Sequence, residues 1–97
     1  YRENYFVNSM NIKNYFDRNV KLVIIVNYIK ETTTKNNDVM AFITGGDEYG
    51  EVSLTMFPLV YKRFNNIKTG NILEIIGRVE KRYDKYQVIV NNVRMLE

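Results

Sequence analysis

The sequence predicts an all-β domain: a five-stranded Greek-key barrel, with a short helix between the third and fourth strands and a helical segment in front. Three observations predict it. Five runs rich in β-branched and aromatic residues lie between Val20 and Leu96, each bounded by turn residues. Pro58 interrupts the series after the third run, and Pro cannot continue an inner strand. A chain of 97 residues allows one modest core, and barrel closure suits such a chain because it removes exposed strand edges.

Tyr1 to Asn19 reads as a separate N-terminal segment. Ser9 is a candidate helix N-cap, and Ile12, Tyr15 and Phe16 follow at the spacing of one helical face. The domain proper is expected over residues 20–97. Val20 to Lys30 is dominated by Val and Ile and reads as a long first strand. Glu31 to Asp38 has loop composition, because short polar side chains compete for backbone hydrogen bonds and Asn tolerates positive φ. Val39 to Thr44 is the second strand, and Gly45, Gly46 and Gly50 punctuate the connection to the third. In Glu51 to Phe57, Val52, Leu54 and Met56 face one way while Ser53, Thr55 and Phe57 face the other.

After Pro58, the residues Val60, Phe64 and Ile67 share a helical face, and Lys68 to Gly70 makes a turn. Ile72 to Tyr83 is the fourth strand, with Gly77 marking a bulge or barrel bend. Asp84-Lys85 is the expected hairpin turn, and Tyr86 to Leu96 the fifth strand. Three strands, a helix and two strands is the order of the OB-fold. An SH3-like barrel would not normally carry a helix at this place.

Composition removes many chemistries. The chain has no Cys and no His, which excludes disulfides, Cys/His zinc sites and nucleophiles activated by imidazole. The longest apolar run, Leu22 to Val26, is too short to cross a bilayer. No signal peptide is visible, and a chain that begins at Tyr1 is expected to be part of a longer protein. The abundant Asn, Ile, Lys and Tyr are explained by A/T-rich codons. The formal charge is +3, and the excess sits late: between Pro58 and Glu97 eight cations face four carboxylates. That distribution favours a polyanionic partner.

A set of short motifs resembles a known family. They are Thr32 to Lys35, Met40 to Thr44, Gly50 to Val52, Met56 to Pro58, Tyr61, and Ile76 to Val79. Together they are similar to the OB-fold domain of the bacterial replicative polymerase, the DNA polymerase III alpha subunit. That domain is of the anticodon-binding type, also found in aspartyl-, asparaginyl- and lysyl-tRNA synthetases. The likeness covers Val20 to Val93. It departs at Ile24, where the polymerases commonly have Gly, at Asn36 to Asp38, and at Gly45-Gly46, where Leu-Glu is usual.

The resemblance implies a module that binds single-stranded template DNA in a bacterial, cytoplasmic replication enzyme. Other domains of the polymerase, and replisome subunits, are the further partners it implies; no membrane, cofactor or metal is expected. Catalysis in such a polymerase resides in a palm domain, so this fragment is expected to be no enzyme. An OB barrel binds across its second and third strands, flanked by two loops, using aromatic faces for bases and cations for phosphates. Phe42 is the expected stacking platform, since the matching Phe of the synthetases stacks on an anticodon base; a core or interdomain role is the alternative. Thr44 and Ser53 accompany it, although the synthetases carry a base-reading Gln where Ser53 stands. Lys81, Arg82, Tyr83, Lys85 and Tyr86 interleave cations and rings at the last hairpin, with a solvated turn as the alternative, and Lys30 and Lys35 flank the first loop. Phe57 is expected to pack under the helix. Lys62 and Arg63 are expected to be solvated, as is the acidic turn of Asp47, Glu48 and Glu51, whose spacing fits no EF-hand. An anticodon-binding domain and a protein-docking OB domain are the alternative functions, with a nuclease on an OB scaffold more remote.

Overall fold

The structure is a computed structural model that describes residues 4–97, so the first three residues of the N-terminal segment lie outside the described residues. The strands are β1 (Tyr5–Phe6), β2 (Asn19–Thr33), β3 (Val39–Asp47), β4 (Gly50–Met56), β5 (Ile72–Arg82) and β6 (Lys85–Met95). A 3₁₀ helix spans Ile12–Tyr15, and the α-helix α1 spans Pro58–Arg63.

β2 is long because it pairs twice. Asn19 to Ile25 runs antiparallel to β5, and Ile25 to Thr33 runs antiparallel to β3. The handover falls at a bulge between Val26 and Tyr28, which supplies the bend a closing sheet needs. β4 then pairs in parallel with β6, through Ser53↔Gln87, Leu54↔Val88 and Thr55↔Ile89. β6 pairs with β5, and the circuit β2-β3-β4-β6-β5 returns to β2. This is the closed five-stranded OB barrel, with its helix between the third and fourth barrel strands as expected.

Alternation fills the interior. Leu22, Ile24 and Val26 from β2 meet Ala41 and Ile43 from β3, Leu54 and Met56 from β4, Leu73 and Ile75 from β5, and Val88 and Val90 from β6. Gly77 lies at a register shift in β5, as expected for a bend. A Cβ there would overlap the Ile89 carbonyl oxygen, so the bend needs Gly.

Several local expectations are corrected. β2 continues through Glu31 to Thr33, because these residues pair with Ala41, Met40 and Val39; the ladder overrides their polar composition. The loop shrinks to Thr34–Asp38, where the Thr34 hydroxyl accepts from the Asn36 and Asp38 amides and Asn37 takes φ 64°. Gly45 and Gly46 lie inside β3, and the turn falls at Glu48-Tyr49. The last hairpin turns at Tyr83-Asp84, one residue earlier than expected, because Tyr83 takes the left-handed φ of 58° and Lys85 already pairs with Arg82.

Phe57 is 49 % exposed at the helix entrance. The ring beneath α1 is Tyr61, whose hydroxyl donates to Glu31 Oε2 at 2.5 Å. Burial, then the bond to the Glu31 carboxylate and its charge, push the Tyr61 phenol up to about 12. Ser9 caps no helix: its amide and hydroxyl both donate to the Asp47 carboxylate. That tie, with buried Val7 and Ile12, seats the N-terminal segment on the barrel, whereas Phe16 stays exposed.

Candidate nucleic-acid interface

The parity of β3 places the site. Ala41 and Ile43 are buried in the barrel, so Phe42 and Thr44 project outward and are half-buried. Register then assembles the outer face row by row. Thr44 lies opposite Ser53, and Ser53 lies beside Gln87. Phe42 lies opposite Thr55, which lies beside Ile89. On the other flank, β2 sets Lys30 opposite Phe42 and Tyr28 opposite Thr44.

The β5–β6 hairpin rises at one end of these rows. Tyr83 is 88 % exposed at its tip. The Arg82 guanidinium carbon lies 5.9 Å from the Tyr83 ring centre, and Lys81 Nζ lies 5.4 Å from that of Tyr86. Each ring thus has a cation on its face. Between the hairpin and the sheet lies a groove of about 240 Å³.

Seven of the ten residues expected at the site line this one groove: Phe42, Thr44, Ser53, Arg82, Tyr83, Lys85 and Tyr86. Lys30 borders it through its pairing with Phe42, and Lys81 through its pairing with Tyr86. Lys35 is not brought to it. That residue sits in the turn beyond Thr33↔Val39, three pairs past Lys30↔Phe42, or about 10 Å along the strands.

The sequence reading missed three residues of this face. Gln87 and Thr55 line the groove floor, where the Thr55 hydroxyl donates to Gln87 Oε1 at 2.7 Å and fixes the carboxamide. Only the parallel β4–β6 pairing brings them together, and no local pattern announces it. Tyr28 is 59 % exposed because the bulge after Val26 turns it outward with Lys30, whereas alternation from the buried Leu22, Ile24 and Val26 would have placed it inside.

The face is positive. Lys30, Lys81, Arg82 and Lys85 surround it, while Glu80 beside Gln87 is engaged in an ion pair with Arg78. Of the acidic turn, Glu51 borders this face beside Thr44, Ser53 and Lys85, whereas Asp47 is structural. Burial raises its carboxyl, but the Ser9 hydroxyl and the Ser9, Tyr49 and Gly50 amides outweigh this and hold it below the usual carboxylate range. Among the described residues no group of three or more Asp or Glu side chains is placed to hold a metal ion.

Fold and groove define a class, and comparison with known proteins gives the same one. Residues 17–96 match the family described as OB-fold nucleic acid binding domain, and the chain belongs to that family. Within it, the chain is 33 % identical over 81 residues to the DNA polymerase III subunit alpha of Bacillus subtilis, a match covering 82 % of this chain and 7 % of that protein. The corresponding subunit of Borreliella burgdorferi is 33 % identical over 75 residues, covering 75 % of this chain and 6 % of that one. The chain therefore spans under a tenth of the length of these relatives. Among solved structures, a domain of replication protein A from Methanococcus maripaludis superposes with a TM-score of 0.79 at 14 % identity, covering 95 % of this chain and 96 % of that one. No described helix is long and apolar enough to cross a membrane.

Proposed function

We propose that this domain binds single-stranded template DNA within a bacterial, cytoplasmic DNA polymerase III alpha subunit. The observation that carries the reading is the groove itself. One half-buried ring, Phe42, and two rings with cations on their faces, Tyr83 and Tyr86, line a single positive depression. Bases stack on such rings whatever their sequence, and the cations neutralise backbone phosphates. In this reading Phe42 is the stacking platform, and Lys30, Lys81, Arg82 and Lys85 contact phosphate. Thr44, Ser53 and Gln87 form the polar floor under the bases. The binding unit is the barrel over residues 20–97, with residues 1–19 as an appended segment. The fragment binds and does not catalyse.

The likeness to the alpha subunits, at about a third identity, supports replication over translation. Ser53, which stands where the synthetases read a base with Gln, supports it too. The test is a titration of labelled oligo-dT and of a labelled RNA anticodon stem-loop, followed by fluorescence anisotropy. Preference for oligo-dT supports the proposal. Preference for the structured RNA would overturn it, and binding of neither would select a protein-docking role.

A further inference from the structure

A second groove, of about 820 Å³, lies at the opposite end of β3 and shares no lining residue with the first. Its floor is the part of β2 between the two strands that flank it on one edge: β1 pairs with Val20 and Lys21, and β3 begins at Ile25. Main-chain directions in this half of β2 are fixed by two bonds. The Val7 amide donates to the Lys21 carbonyl, towards β1, and the Val26 amide donates to the Asn71 carbonyl, on the β5 side. Odd-numbered residues therefore turn their N–H and C=O away from β5. For Lys21 and Ile25 a strand is there to meet them; for Val23 there is none. Among the described residues the Val23 amide and carbonyl have no main-chain partner on that edge.

The walls are apolar and open. Phe6 is 71 %, Tyr49 53 % and Ile25 46 % exposed, all on this one groove. Among the described residues its lining includes two carboxylates, Asp47 and Glu48, and no cation. Asp47 is tied to Ser9, which leaves Glu48 as the free charge. Such a surface repels a nucleic-acid backbone, whereas an open main-chain pair is what an extended polypeptide recognises.

We propose that this groove docks an extended segment of a partner protein in which a Lys or Arg accompanies apolar residues. The segment's main chain bonds to Val23, its apolar side chains fill the space between Phe6, Ile25 and Tyr49, and its cation meets Glu48.

The test uses the isotopically labelled domain and three probes: the capped pentapeptide Lys-Val-Ile-Val-Arg, the same peptide with Glu at both ends, and oligo-dT. The premise is checked first by hydrogen exchange, in which the Val23 amide exchanges faster than its β5-bonded neighbours Leu22 and Ile24. The basic peptide is then expected to shift the Val23, Gly46 and Glu48 amides and to slow Val23 exchange. Glu48→Lys is expected to weaken it by up to about fivefold, the upper end of the range for one exposed ion pair, and to leave oligo-dT binding unchanged. The proposal is overturned by a protected Val23 amide in the free domain. It is equally overturned by equal binding of the acidic peptide, by the same shifts with oligo-dT, or by no shift at about 2 mM basic peptide.

Discussion

Phe42, Gly77 and Tyr61 each place a different constraint on the chain. Phe42 faces outward because its neighbours Ala41 and Ile43 are needed inside. Truncating it should therefore cost binding and little stability: Phe42→Ala is expected to weaken oligo-dT by about 1–3 kcal/mol, the value of one stacked base, with an unchanged melting temperature. Gly77→Ala should do the opposite. Its Cβ would overlap the Ile89 carbonyl and lie 2.7 Å from Val88 Cγ1. A loss of about 1–3 kcal/mol is expected for such overpacking, read by thermal melting with oligo-dT affinity retained. Tyr61 predicts a pH effect. Its folded pKa is raised from 10.0 to about 12, so the stabilisation from the neutral phenol is complete below pH 10 and is lost as pH rises from 10 towards 12. Tyr61→Phe is expected to flatten that limb of the stability curve relative to the parent. At this scale much was legible, since strand parity alone separated Phe42 from Ala41 and Gly77 announced its bend. A Cβ on Gly45 would lie 2.9 Å from Ile24 Cδ1, so the side chain present at 24 occupies the space absent at 45.

The five barrel strands and the helix between them were legible in order and type, less so at their ends, whereas the strand Tyr5–Phe6 was not legible. Polar Glu31 to Thr33 read as loop but belong to β2, since pairing with β3 outweighs propensity. The hairpin turn moved by one residue because Tyr83 accepts a left-handed conformation. The N-terminal segment was the least legible element. Its anchor is the bond from Ser9 to Asp47, 38 residues away, and sequence periodicity carries no such information. That anchor makes a prediction. The bonds from Ser9, Tyr49 and Gly50 hold the Asp47 carboxyl below the usual carboxylate range, so its contribution to stability is present above that range and is lost as pH falls through the lower, folded pKa. Amides of the N-terminal segment, Val7 and Ile12 among them, should lose exchange protection in acid before those of the barrel. Asp47→Asn should produce the same loss at neutral pH.

The whole molecule separates its surfaces by charge. The barrel is closed by the parallel β4–β6 pairing, which also builds the floor of the nucleic-acid groove from Ser53, Thr55 and Gln87. This non-local step explains why the sequence showed the rings, the cations and Ser53 of the groove but not Thr55 and Gln87 in its floor. Four cations surround that groove, and the carboxylates Asp47 and Glu48 line the other. Binding of a single strand should then depend on salt, with a log–log slope of about −3 if all four cations meet phosphates.

The most direct test is fluorescence anisotropy of labelled oligo-dT at low and moderate salt, with Phe42→Ala and Lys81→Ala/Arg82→Ala beside the parent. The expected result is salt-dependent binding weakened by both variants, the double variant also lowering the salt slope by about 1.4. Binding lost only in the basic variant would mean a charged patch without stacking. No binding even at low salt would contradict the account and leave the barrel as a docking domain.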